Sequence, residues 1–148
     1  DRTRRVGSVR VLVACESSGI VRRAFRALGH EAWSCDLEPA EDGSKYHFQE
    51  DALKVMYAAP WDLMIAHPPC TYLCNSGVKH LYIGGKKENG KDLKRWEDMA
   101  KAAAFFKALF KCSTIDHIAI ENPVGIMSTK YRKPDHVCLL VAGASILL

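Results

Sequence analysis

Val9-Arg10-Val11-Leu12-Val13-Ala14-Cys15-Glu16-Ser17-Ser18-Gly19-Ile20-Val21 opens the ordered part of the chain. Its first six residues form a β-branched apolar run of strand length, and a strand apolar on both faces belongs in a parallel sheet. The small polar residues 15–19 interrupt the run. Ile20, Val21, Ala24, Phe25 and Leu28 then recur at helical spacing, and Gly29 stands where a left-handed C-terminal cap belongs. Strand, tight loop and helix in this order predict an α/β domain.

The pattern continues outward. Residues 31–35 predict a second strand ending at Asp36, residues 46–49 a short third ending near Asp51, and residues 61–66 a fourth. His67-Pro68-Pro69-Cys70 stops the fourth, because two prolines cannot continue a strand. After a Gly- and Lys-rich loop, Trp96, Met99, Ala100, Ala103, Phe106, Leu109 and Phe110 mark a long amphipathic helix. Residues 115–120 predict a fifth strand ending at Glu121-Asn122-Pro123, and residues 137–148 one more, with the uncharged stretch 141–148 buried. Alternating strands and helices give an open, mostly parallel sheet, whose ligands lie outside the carboxyl ends of the strands. Residues 1–8 read as a flexible basic tail and residues 9–148 as one domain.

The composition suits a chain that builds its own core: 148 residues, 48% hydrophobic and 26% charged, a length at which roughly two-thirds of the unfolded surface is buried. Six cysteines and no charged-then-apolar leader predict reduced thiols in a cytoplasmic protein. No apolar run approaches the ~20 residues that cross a bilayer, so no membrane role is expected. A net charge of +4 is compatible with a polyanionic partner without identifying one.

The strand ends are unusually polar, with Glu16 and Ser17 after the first, Asp36 after the second, then Asp51, Cys70 and Glu121. The Gly/Ser turn at 15–19 is either an ordinary strand-to-helix connection or one that presents backbone N–H groups to a ligand. Asp36 is either a cap or solvated acid, or a holder of two ribose hydroxyls. Cys70 follows a rigid Pro-Pro corner and is either a buried inert thiol or a thiolate nucleophile. Cys70 and Cys74 lack a second close Cys or His pair, so no structural zinc spacing is met. Lys79, His80, Lys86, Lys87, Lys91, Lys94 and Arg95, interleaved with Tyr82 and Trp96, form either a solvated basic loop or a phosphate-tracking one. Trp96 and Phe106 read as core.

The order of these motifs resembles the cytosine-C5 DNA methyltransferases, and most closely a short phage-type subgroup. Pro68-Pro69-Cys70 and the later Glu121-Asn122 match the two catalytic motifs in order, and residues 70–77 follow the family's Cys-Gln-x-Phe-Ser-x-x-Gly pattern in register, departing at Thr71 and Cys74. The resemblance covers residues 9–127. It implies a Rossmann-like methyltransferase fold with helices on both faces of the sheet and S-adenosylmethionine as cofactor. Contacts to the cofactor are implied at Ala14, Cys15, Glu16, Ser17, Gly19, Ile20, Asp36, Leu37, Asp51, Ala52 and Pro68. Catalysis is implied at Cys70 and Glu121, and DNA contacts at Pro69, Asn122, Lys79 and Arg95. Cys70, rather than Cys15, Cys35, Cys74, Cys112 or Cys138, is the implied nucleophile and the thiol expected to react first.

Family members carry an arginine-bearing strand, a target-recognition region and a final helix after the glutamate motif, so this sequence reads as a C-terminally truncated member. The expectation is weak, sequence-independent DNA binding by the chain alone, with recognition supplied by a partner chain or self-association. A catalytically silent remnant or subunit that binds cofactor or DNA is the alternative. An amino-methyltransferase is disfavoured, since His67 and Cys70 stand where that class has Asp, Asn or Ser and an aromatic residue.

Overall fold

A computed structural model describes residues 7–123, 125–138 and 144–147. The expectations for a tail over 1–6 and for burial of residues 141–148 fall outside the described residues and side chains. In chain order the elements are β1 (Arg10–Ala14), α1 (Ile20–Ala27), β2 (Glu31–Asp36), β3 (His47–Gln49), α2 (Ala52–Ala58), β4 (Leu63–Ala66) and α3 (Asn75–Val78), followed by three short 3-10 turns over Lys79–Leu81, Ile83–Gly85 and Lys87–Asn89. Then come α4 (Leu93–Phe110), β5 (His117–Pro123), α5 (Met127–Lys130), β6 (His136–Cys138) and β7 (Ala144–Leu147).

Two compact units divide the chain. The first contains residues 1–67 and 112–119. Its strands form an open parallel sheet in the order β3-β2-β1-β4-β5, with β5 entering through its first residues. β1 is central, paired from Arg10↔Glu31 to Ala14↔Cys35 on one side and from Val11↔Leu63 to Ala14↔Ala66 on the other. Val11, Leu12, Val13 and Ala14 are fully buried, as a strand apolar on both faces requires. α1 lays Val21 and Phe25 on Val11, Val13 and Ala32, beside Leu63 and Ile65.

Three expectations about these strands and helices are corrected. Ile20 and Leu28 are exposed at 63% and 75%, while Arg22 of the same helix is buried; Arg22 goes inside because polar partners there receive its guanidinium. α2 was not foreseen, and Asp51 is its N-cap, accepting a hydrogen bond from Leu53 N at 2.9 Å. β5 runs through Glu121 and Asn122, which therefore lie within the strand rather than past its end.

The second unit contains residues 68–111 and 120–148. In it β7 runs antiparallel to β5, with Glu121 opposite Ile146, and β6 runs antiparallel to β7. The last stretch thus adds two strands where one was expected. α4 buries Met99, Phe106 and Leu109, and Phe106 and Phe110 meet Tyr131 edge-on. Phe106 is core as expected, and Trp96 is only partly covered. Among the described residues no helix is long and apolar enough to cross a membrane.

Candidate functional site

β1 ends at Ala14, and Cys15 turns the chain with φ 60, the one non-glycine in the left-handed region among the described residues. A β-carbon there costs about 1–2 kcal/mol. The turn delivers Glu16 to the start of α1, whose N-cap, Gly19, offers no side chain. The Glu16 carboxylate accepts hydrogen bonds from Val21 N at 2.7 Å, Arg22 N at 3.3 Å and the Ser18 hydroxyl at 3.3 Å. The free N–H groups of a helix start attract an anion, and here the chain supplies its own. The loop therefore does not offer the Val21 and Arg22 N–H groups to a ligand; what faces outward is acid and hydroxyl.

That face is a cavity of about 390 Å³ lined by Cys15, Glu16, Ser17, Ser18, Ile20, Val21, Asp36 and His67. Its side-chain charges are two carboxylates, with no lysine or arginine in the lining, which suits a ligand rich in hydroxyls or cationic groups and disfavours a polyphosphate. Asp36 accepts from Glu38 N at 3.0 Å through Oδ1, a local turn of the Asx type. Burial pushes the Cys15 thiol up to about 12, helped by Cys35, Asp36 and Asp51; Asp51 itself caps α2 and is not part of the cavity lining. Of the other residues expected to touch a cofactor, Ala14, Ala52 and Pro68 are buried and Leu37 is exposed. Gly19 sits over the Arg22 guanidinium, whose central carbon would be 2.8 Å from an added Cβ.

In the second unit Cys70 opens a turn in which its carbonyl accepts from both Leu73 N and Cys74 N. Pro69 is exposed and Cys70 partly covered. Burial raises the Cys70 thiol above its ordinary value, and Cys74 and Glu121 raise it further. Glu121 is partly covered and Asn122 buried.

Cys74 behaves oppositely. The Ser76 hydroxyl lies 3.0 Å from its sulfur and lowers its pKa, aided by main-chain groups at Gly77, Cys74 and Ser76. Because the thiolate is the reactive form, Cys74 is expected to be labelled before Cys70 when a limiting alkylating reagent is added at about pH 8 and peptides are mapped. This departs from the expectation that Cys70 reacts first; preferential labelling of Cys70 would show that the Ser76 contact does not govern these thiols.

The basic loop divides in two. Lys79, Lys86 and Lys87 are exposed, and Lys87 and Lys91 lie over the rings of Tyr82 and Trp96 at 5.9 and 4.8 Å, the two rings packed edge to face. Arg95 is turned inward: its guanidinium stacks on Tyr72 at 4.4 Å and donates to Thr71 O and Gly77 O, each at 3.4 Å. It clamps the turn after Cys70, while Lys79 remains open to solvent. Nothing in the sequence marked this role, since a clamp and a phosphate contact use the same side chain. No protein-family model and no curated protein sequence matches this chain.

Proposed function

We propose that the chain is an S-adenosylmethionine-dependent methyltransferase of Rossmann-like fold that acts on C5 of cytosine in DNA through a covalent adduct at Cys70. Cys70 and Glu121 carry this reading: a thiol behind a Pro-Pro corner and a strand acid from a later motif, both in the same compact unit. The parallel sheet and the phosphate-averse pocket at its carboxyl edge support it, because S-adenosylmethionine is a nucleoside with a diol and an ammonium group and without phosphate.

Cytosine C5 is a weak nucleophile until a thiolate adds to C6. Cys70 gives its proton to solvent water, and its thiolate Sγ bonds to C6 as the C5–C6 π bond breaks and its electron pair moves through the ring toward N3. The Glu121 carboxyl gives its proton to N3 as the electron pair arrives there, accepts from the amino group through its other oxygen, and takes the proton back on elimination. When bound, S-adenosylmethionine supplies an electrophilic methyl group for C5. Loss of the C5 proton to solvent water then re-forms the C5–C6 double bond and expels Cys70 as thiolate. A stacked base cannot reach either side chain, so the cytosine is flipped out of the duplex, and the exposed Lys79, Lys86 and Lys87 supply phosphate contacts without sequence information.

DNA containing 5-fluorocytosine, incubated with the protein and S-adenosylmethionine, is expected to leave an adduct that survives denaturation and maps to Cys70. The fluorine cannot depart as a cation, so elimination stalls. No adduct, or an adduct on Cys74, would overturn the assignment.

A further inference from the structure

We propose that His67 binds the carboxylate of the amino-acid arm of S-adenosylmethionine, an inference that rests on the cofactor reading above. β4 ends at Ala66, and His67 N donates to Ala14 O at 3.0 Å, which ties this residue to the end of β1. Pro68 follows and is buried, so the backbone is held on both sides of the histidine. The side chain lines the same cavity as Glu16 and Asp36. Its Nε2 is closed off from solvent and has no hydrogen-bond partner, an uncommon condition that a turn of the ring toward the cavity and its occupant would relieve.

The neighbours are committed elsewhere. Glu16 faces the N–H groups of α1, and the Ser18 hydroxyl donates to Glu16. The Ser17 hydroxyl donates to Glu41 at 2.9 Å. Asp36 is an acceptor, and the Cys15 thiol is a weak donor. The diol and ammonium of the cofactor are donors that suit Asp36, the lining acid not spent on α1, while Glu16 adds its charge. Its carboxylate is the one part that those acids repel, and among the lining side chains the imidazole is the uncommitted strong donor. No hydrogen bond holds the ring against the turn that points an N–H into the cavity.

S-adenosylhomocysteine and 5′-methylthioadenosine share adenine, ribose and thioether, and only the first carries the amino-acid arm. In calorimetric titrations, His67→Ala is expected to weaken S-adenosylhomocysteine by about tenfold or more while leaving 5′-methylthioadenosine within about twofold. His67→Gln, which keeps an N–H donor, is expected to recover part of the loss and serves as the readout if the alanine variant folds poorly. Equal losses for both ligands, or none for either, would overturn the proposal and place the carboxylate on the main chain. Wild-type protein that binds neither compound would overturn the cofactor reading itself, an outcome visible before any variant is compared.

Discussion

Gly125→Ala is expected to unfold the segment that joins the Cys70 turn to the strand bearing Glu121, with a loss of about 3 kcal/mol, the upper end for overpacking. An added Cβ would meet Leu73 O, lie 2.8 Å from Cys74 Cα and 2.9 Å from Leu73 C. All three are main-chain atoms, so no rotamer change relieves the clash. The approach is fixed because Leu73 O accepts from Ile126 N at 2.8 Å and Cys74 pairs with Gly125 in an antiparallel bridge. The clash and these bonds are incompatible, so the turn must leave the Gly125 segment. Gly29→Ala is the control: its φ of +87 strains a side chain, with nothing within 4 Å of the new Cβ, and its cost stays near 1–2 kcal/mol. Urea unfolding of both variants checks the difference, and equal midpoints would show that Gly125 is not held by space. In the 5-fluorocytosine assay the adduct at Cys70 is expected to fall with the Gly125 substitution and to persist with the Gly29 one.

Arg22→Met is expected to cost about 3 kcal/mol, the low end for removing one partner of a buried ion pair, because Asp42 keeps some contact with water. The Arg22 side chain is 1% exposed. Its guanidinium donates to Ser34 Oγ at 2.7 Å and to the Asp42 carboxylate, which also receives Arg23 at 2.9 Å. Ser34 Oγ lies 2.8 Å from His47 Nδ1, and His47 Nε2 lies 2.9 Å from Glu38 O. One guanidinium thereby ties α1 to β2, β3 and the loop over residues 37–46, and Glu41 N of that loop returns to Ser17 O at 3.0 Å beside the pocket. Weaker binding of S-adenosylhomocysteine should accompany the lost stability. The hydrogen bonds from Arg22 and then Arg23 hold the Asp42 carboxyl well below its ordinary value of 3.8. A lowered folded pKa stabilises the protein above the unfolded value, and that share is lost as pH falls toward the folded one. Wild-type stability should therefore decline between about pH 4 and pH 2, and the Arg22→Met curve should be flatter over that window. Parallel acid limbs would show that Asp42 draws its shift from elsewhere.

Periodicity carried much of the fold because burial imposes it. A strand apolar on both faces has to be central, and residues 10–14 are; Gly29 has φ +87 where a left-handed cap was expected. The short elements were less legible. α2 has too few residues to display a helical stripe, and Asp51 is a cap whether or not a ligand lies near it. Arg22 interrupts the apolar face of α1, and a charged residue is assigned to water unless its partners are known; Asp42 and Ser34 are 20 and 12 residues away. The candidate site divides in the same way. Pro68-Pro69-Cys70 and Glu121-Asn122 were visible as residue types in order, since the proposed chemistry calls for those types. Sequence order does not carry an electrostatic environment, which depends on distances across the fold. Glu16 was visible as a polar residue at a strand end, but only the fold puts its carboxylate on the N–H groups of Val21 and Arg22. The Pro-Pro corner singled out Cys70 over Cys74 on paper, whereas the Ser76 hydroxyl beside Cys74 and the burial of Cys70 act in the other direction. The sequence by itself determined the alternation of strands and helices and the chemical types at the strand ends, because both are written in local patterns. Only the tertiary structure decided which thiol is the more acidic, which arginine is interior and which donor faces the pocket, because those depend on partners that the chain brings together only when folded.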